Sequence, residues 1–155
     1  MDSYSMTYKV RWADIDLNRH VNYAAYIEAA TELRYKFFLE HNLLPDTFEK
    51  LGISPTYTSM SINFLREVLL GETITITFQL AGMSEHGIRW RIRHNFLKAN
   101  GKKAVLLALE GTFLDLKTRQ PIKPMPEILA AFQDAPRSPD FEVLPEVRWF
   151  GRAGL

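Results

Sequence analysis

The segment from Asn22 to His41 constrains the fold more than any other part of the chain. Its sequence, NYAAYIEAATELRYKFFLEH, contains neither glycine nor proline and is rich in residues that favour helices. The first half is apolar on nearly every side, and a helix of that kind is buried over most of its surface. Alanines at 24, 25, 29 and 30 would let a sheet approach closely. The segment therefore predicts one long helix enclosed by the rest of the chain.

Most of the remaining sequence alternates between apolar and polar residues, which is typical of strands. The clearest case is Thr73–Leu80, with isoleucine, phenylalanine and leucine on one face and threonine and glutamine on the other. Asn100 and Gly101 indicate a hairpin turn between two of these strands. Short helices are predicted at Leu44–Gly52 and Pro126–Gln133. Strands are predicted at residues 4–12, 56–64, 73–80, 88–97 and 103–114.

One long helix followed by serial antiparallel strands predicts an α+β domain of two layers, with the strands in a meander behind the helix. The chain of 155 residues fits one domain. We assign residues 1–133 to that domain. Residues 134–155 contain prolines without periodicity, and we expect them to form an extended tail.

Composition excludes several classes of function. The 19 basic and 18 acidic residues leave a net charge of +1, so no electrostatic footprint for nucleic acid or a membrane surface is present. The chain has no cysteine, which excludes disulfides, thiolate metal sites and cysteine nucleophiles. The N-terminal sequence has no apolar signal core, and no uncharged apolar run approaches the ~18 residues of a membrane span. We therefore expect a cytoplasmic protein.

Polar residues occupy every second position directly before the long helix. They are Asp14, Asp16, Asn18, His20 and Asn22. A calcium loop begins with the same alternation, but it needs glycine at its sixth position and glutamate at its twelfth, where this chain has Arg19 and Ala25. A solvated strand end with local Asp and Asn hydrogen bonds is a second interpretation.

The third interpretation is a catalytic site. Free backbone N–H groups at a helix N-terminus can bind a carbonyl oxygen as an oxyanion hole, and a carboxylate beside them can act as base or nucleophile. If the segment stays extended, Asp16, Asn18 and His20 share one side of the strand–helix junction. Glu28 and Glu32 on the helix are alternative carboxylates, and a structural role is the simpler interpretation for both.

The segment DIDLNRHVNYAAYIE resembles the signature of hotdog-fold thioesterases, especially acyl-acyl-carrier-protein thioesterases and their single-domain acyl-CoA relatives. The resemblance covers residues 4–116. It implies a hotdog fold, in which a curved antiparallel sheet of about five strands wraps one long helix. Because the carrier-protein enzymes have two hotdog units and this chain has room for one, the resemblance also implies a homodimer or a dimer of dimers, with sites at the subunit interface.

The resemblance also assigns roles. Carried over onto this sequence, the catalytic residues are Asp16, Asn18, His20 and Glu67. Asp16 would attack the thioester carbonyl or activate water, Asn18 would hold the carboxylate or the water, and His20 would donate to the leaving thiolate or orient the others. Substrate-binding residues at the helix start would be Asn22, Tyr23 and Tyr26, with backbone N–H groups near the first two forming the oxyanion hole.

The sequence thus predicts a hydrolase acting on acyl-CoA or acyl carrier protein, without a metal or other cofactor. The alternative is a non-catalytic hotdog module that binds acyl-CoA as a sensor or interaction partner. Such a module would need neither Asp16 nor His20.

Overall fold

The structure of the protein is a computed structural model that describes residues 3–146. The long helix predicted from the sequence is α1, which spans Tyr23–Glu40. It begins where Asn22 Oδ1 accepts a hydrogen bond from the Ala25 N–H at 3.0 Å. An asparagine in this position satisfies one of the amides that a helix start leaves without an intrahelical partner.

A six-stranded sheet packs against α1. Its strands are β1 (Tyr4–Lys9), β2 (Ile53–Phe64), β3 (Thr73–Ser84), β4 (Arg89–Leu97), β5 (Lys103–Asp115) and β6 (Arg137–Leu144). The order across the sheet is β1-β3-β4-β5-β2, with β6 also paired to β3. β3, β4 and β5 form the predicted meander. β2 is not part of this meander, because it pairs with β5 at the far side of the sheet. The outer edge of β2 has no partner strand within residues 3–146.

The core lies between α1 and the concave face of the sheet. Ala25, Ala29 and Ala30 are 5%, 3% and 0% exposed, so these three alanines of α1 are enclosed as the sequence predicts. Ala24, the fourth alanine of that prediction, is exposed. Alternate residues of β4 are buried against the helix, which matches the apolar–polar alternation of its sequence. The close approach of sheet to helix therefore depends on the alanines of α1.

Two short helices cover the far end of α1. They are α2 (Pro45–Leu51) and α3 (Pro126–Asp134), and each starts with a proline in its first turn. Gly52 ends α2 with a φ of 67°, a left-handed conformation that glycine adopts at low cost. Phe132 of α3 is buried in the core, whereas α2 has no buried residue.

Part of the segment predicted to be an extended tail forms β6, which pairs in parallel with the second half of β3. Ion pairs also hold it to β4: Arg91 contacts Glu142 at 2.9 Å, and Arg93 contacts Asp140 at 2.6 Å. The rest of the predicted tail, residues 147–155, lies outside the described residues. None of the helices described within residues 3–146 is both long and apolar enough to cross a membrane.

Candidate active site

The chain reverses direction between Asp16 and His20. Arg19 N–H donates to Asp16 O at 3.0 Å, Asp16 N–H donates to His20 O at 3.0 Å, and Arg19 has a φ of 65°. The stretch is therefore not extended, which was the condition for Asp16, Asn18 and His20 to share one side of the junction. A tight turn, rather than strand alternation, brings Asp16 and His20 together.

The turn fixes the carboxylate of Asp16. Its Oδ1 accepts the backbone N–H of Asn18 at 2.8 Å and the backbone N–H of His20 at 3.3 Å. These bonds follow the usual way in which aspartate stabilises a turn. They tie the acid to the backbone although its side chain is exposed to solvent.

Glu67 reaches the same place from the loop between β2 and β3. Its Oε1 lies 3.4 Å from His20 Nε2, so the structure brings together three of the four residues predicted to be catalytic. The loop is aligned with the turn because Val21 N–H donates to Val68 O at 3.0 Å. Asn18, the fourth, contributes only its backbone N–H, which binds the Asp16 carboxylate. Its side chain is exposed and does not line the pocket that Asp16, His20 and Glu67 share.

A partly exposed ion pair holds the loop that carries Glu67. Lys98 Nζ donates to Glu67 O at 2.7 Å and pairs with Glu72 at 2.9 Å, while Glu72 Oε2 accepts the Leu69 N–H at 2.6 Å. Burial alone would raise the pKa of Glu72, but the bonds from Leu69 and Lys98 outweigh it and lower that pKa. Glu72 therefore stays ionised and holds Lys98, and Lys98 in turn binds the Glu67 carbonyl.

Asp16, His20 and Glu67 border a pocket of about 420 Å³. The phenol ring of Tyr26 is only 3% exposed and packs against Phe64 and Phe96, with ring centroids 6.1 and 5.0 Å away. Burial and the charge of Glu72 raise the pKa of Tyr26 to about 12, so its hydroxyl keeps its proton. The lining is formed by Asp16, His20, Val21, Tyr23, Tyr26, Phe64, Leu65, Arg66, Glu67 and Val68.

The start of α1 supplies backbone donors beside this pocket, although not the pair expected from the sequence. Asn22 N–H already donates to Asp14 O at 2.8 Å, and its Nδ2 donates to the same oxygen at 2.9 Å. Asn22 therefore positions the helix instead of offering a donor. The amides of Tyr23 and Ala24 come next, and as the first residues of a helix they have no intrahelical partner.

Asp14, for which the sequence predicts no catalytic role, anchors the segment before α1. It is 2% exposed and accepts hydrogen bonds from the hydroxyl of Tyr8 at 2.5 Å and from Arg11 Nη2 at 2.9 Å. Burial would raise its pKa, but the bonds from Arg11 and Tyr8 dominate and lower it. Arg11 stands three residues before Asp14, and that spacing was the one feature of the sequence that could have predicted their ion pair.

The helix carboxylates considered as alternatives lie elsewhere. Glu28 and Glu32 are exposed and border a different groove, between α1 and β1. Neither lines the pocket that contains Asp16.

Solved structures with this fold include several thioesterases. A 1,4-dihydroxy-2-naphthoyl-CoA thioesterase from Synechocystis aligns with a TM-score of 0.76 and 13% identity, over 85% of this chain and 96% of its own. SAV2348 from Staphylococcus aureus, determined in complex with CoA, aligns with a TM-score of 0.74 and 18% identity, over 99% and 92%. A protein assigned as an oleoyl thioesterase from Lactobacillus plantarum aligns with a TM-score of 0.78 and 17% identity over 97% of this chain. This chain spans only 55% of that one.

These similarities show that the fold is the hotdog fold. A search of curated proteins returns no match to the sequence. A family model for the thioesterase-like superfamily matches residues 10–132, which include the turn, α1 and most of the sheet. Such a match supports thioester hydrolysis as the general activity. The chain belongs to the thioesterase-like superfamily.

Proposed function

We propose that the protein hydrolyses acyl thioesters of coenzyme A at the pocket formed by Asp16, His20 and Glu67. The observation that carries this proposal is the position of the Asp16 carboxylate. A backbone turn fixes it at the edge of a pocket that the His20 imidazole also lines, beside the start of α1.

The chemistry requires attack on the thioester carbonyl and release of a thiolate. Asp16 either takes a proton from water as that water attacks or attacks the carbonyl carbon itself to give a mixed anhydride that water then cleaves. Both routes yield the carboxylic acid and the thiol. His20, which Glu67 orients at 3.4 Å, donates a proton to the departing sulfur.

The oxyanion that forms on the carbonyl would bind the N–H groups of Tyr23 and Ala24. Donors of this kind act where negative charge develops, and each is worth roughly 10²–10³ in rate. The positive end of the α1 dipole adds to the same stabilisation.

Coenzyme A as the carrier is supported by similarity. SAV2348 was determined with CoA, and the Synechocystis protein is a CoA thioesterase. Acyl carrier protein remains the second carrier predicted from the sequence.

We further propose a homodimer, or a dimer of dimers, formed across the open edge of β2. This edge runs for 12 residues and carries apolar side chains, of which Tyr57 is 50%, Met60 43% and Phe64 60% exposed. Proteins seldom leave a long apolar edge strand in contact with water. Phe64 also lines the catalytic pocket, so a partner at this edge would cover the pocket.

Thiol release from a panel of acyl-CoA substrates tests the activity. Asp16→Asn should lower kcat/KM at least ~100-fold on the best substrate, because the carboxylate that acts as base or nucleophile is removed. Asp46→Asn, the same exchange in the first turn of α2, is the matched control and should match the wild type.

If no acyl-CoA is cleaved but acyl-CoA binds, the protein is a binding module, the alternative predicted from the sequence. If Asp16→Asn turns over normally while folded, Asp16 is neither the catalytic base nor the nucleophile. Light scattering tests the assembly independently: a monomer of 17.9 kDa at micromolar concentration would contradict the dimer.

A further inference from the structure

The pocket that Asp16, His20 and Glu67 border also contains a tyrosine hydroxyl without a partner. Tyr26 of α1 lines this pocket and is 3% exposed. Its hydroxyl forms no hydrogen bond with any of residues 3–146, although its oxygen is not sealed inside the core. Polar groups in a protein interior are nearly always hydrogen-bonded. The pocket therefore has a vacant place for a hydrogen-bond acceptor at Tyr26.

The surroundings of Tyr26 hold its hydroxyl in place and keep it neutral. The ring is confined by Phe64 at the end of β2 and by Phe96 of β4, which packs against it edge-on. Burial and the charge of Glu72 raise the pKa of Tyr26, so the hydroxyl keeps its proton at neutral pH. It can donate a hydrogen bond but cannot replace Asp16 as the base.

The direction of the Tyr26 side chain brings its hydroxyl to the same end of α1 as the free amides. Side chains on a helix lean toward its N-terminus, so Tyr26 leans back over the first turn. The amides of Tyr23 and Ala24 in that turn have no intrahelical partner. Tyr23 and Tyr26 both line the pocket. A carbonyl oxygen held at the start of α1 would therefore have donors from the backbone and from Tyr26.

The chemistry of the substrate limits which acceptor can occupy this place. The carrier of an acyl thioester must leave the pocket on its solvent side, where Asp16 is exposed and the Glu67 side chain is 68% exposed. The acyl end then lies on the buried side, with Tyr26. In an unsubstituted acyl group, the oxygen that can accept a hydrogen bond is that of the thioester carbonyl.

We propose that the Tyr26 hydroxyl donates a hydrogen bond to the thioester carbonyl oxygen, as a third donor beside the amides of Tyr23 and Ala24. This role rests on the proposed function and adds a catalytic residue to it. The phenol shares its proton with the oxygen without transferring it. Because hydrogen bonds to an anion are stronger than those to a neutral carbonyl, the contact favours the transition state over the bound substrate.

Tyr26→Phe removes the oxygen and leaves the ring in its place. It should lower kcat on octanoyl-CoA at least about tenfold, since a donor to the oxyanion is lost. The urea midpoint should stay equal or rise, because the hydroxyl has no bond in the protein to lose. Tyr35→Phe is the matched control: it is the same exchange at an exposed position of α1 outside this pocket, and it should change neither value.

Binding of two uncleavable ligands tests the same contact without hydrolysis. S-octyl-CoA lacks the carbonyl, whereas the ketone analogue of octanoyl-CoA, with a methylene in place of the sulfur, keeps it. In calorimetric titrations the wild type should prefer the ketone, and Tyr26→Phe should reduce that preference about fivefold, the worth of one hydrogen bond of ~1 kcal/mol. If the wild type cleaves no thioester but Tyr26→Phe reduces the preference, the proposed activity is wrong and the contact stands.

Three results would overturn the proposal. The first is an unchanged ketone preference in Tyr26→Phe. The second is a urea midpoint that falls in Tyr26→Phe, because the hydroxyl would then have a structural bond. The third is a variant that slows 3-hydroxyoctanoyl-CoA and leaves octanoyl-CoA unaffected, because Tyr26 would then bind an oxygen on the acyl chain and not the carbonyl.

Discussion

Replacing Gly111 with alanine should destabilise the protein strongly, although glycine-to-alanine changes in a strand are usually mild. Gly111 of β5 lies between Trp90 of β4 and Tyr57 of β2, and the Trp90 indole crosses it to reach Tyr57. A Cβ at this position would lie 2.1 Å from Cζ2, 2.3 Å from Cη2 and 2.6 Å from Cε2 of that indole.

Carbon atoms in contact are about 3.5–4.0 Å apart, so the indole must move by roughly 1.5 Å. Trp90 is 2% exposed and packs against Phe113 and Phe132, with ring centroids at 6.4 and 6.0 Å, so no free space receives it. Overpacking of this degree costs about 3 kcal/mol of unfolding free energy, the upper part of the usual range. In a chain of this length that lowers the melting temperature by about 6–12 °C.

Chemical denaturation of Gly111→Ala, Trp90→Leu and the double variant measures the effect as a double-mutant cycle. Gly82→Ala is the matched control, since its nearest neighbour is the flexible end of Leu144 at 2.9 Å and it should cost less. Gly111→Ala should be far better tolerated when Trp90 is leucine. A cost below about 1 kcal/mol, or the same cost in both backgrounds, would refute the packing argument.

Three further variants probe other parts of the fold. Ala30→Leu should cost about 1–3 kcal/mol in denaturation, because residue 30 is 0% exposed between α1 and the sheet; an unchanged midpoint would mean that the helix is not enclosed. Asp14→Asn should cost about 1–3 kcal/mol at pH 7. Folding lowers the pKa of Asp14, so its carboxylate stabilises the fold fully only above the unfolded-state pKa of about 3.9. The difference in unfolding free energy between the variant and the wild type should therefore shrink as the pH falls below that value. His41 pairs with Asp134 at 2.8 Å. Burial lowers the pKa of His41, but the bonds to Asp134 and Phe37 outweigh it and raise that pKa. Asp134→Asn should therefore lower the free energy of unfolding by up to about 1 kcal/mol at pH 5.5, where His41 is protonated, and by less at pH 8.5.

Local patterns predicted most elements of the fold to within a few residues. α1, the three meander strands and both short helices depend on periodicity, on glycine and proline positions and on one hairpin turn, all of which are local. Neither the pairing of β2 with β5 nor that of β6 with β3 could be predicted in the same way. Both join segments distant in sequence, and β6 owes part of its placement to ion pairs with β4.

The sequence predicted which residues form the candidate site better than it predicted how they are arranged. Asp16, His20 and Glu67 do meet, but through a turn with a positive φ at Arg19, a residue that gives no sequence signal for that conformation. The donor role expected of Asn22 failed because its amide bonds the carbonyl of Asp14, which depends on the folded turn. The catalytic roles, the cytoplasmic location and the division of the chain at residue 133 stay predictions.

The pairing of β3 has a consequence for how the chain folds as it is synthesised. One edge of this strand is covered by two segments from opposite ends of the described sequence: β1 pairs with Thr73–Phe78, and β6 with Leu80–Ser84. A nascent chain that has emerged only as far as β5 can close the first half of that edge but not the second. Until residues 137–144 leave the ribosome, the second half offers unpaired backbone groups to other chains, so ribosome-bound intermediates and chains truncated before β6 should be the species most prone to aggregate.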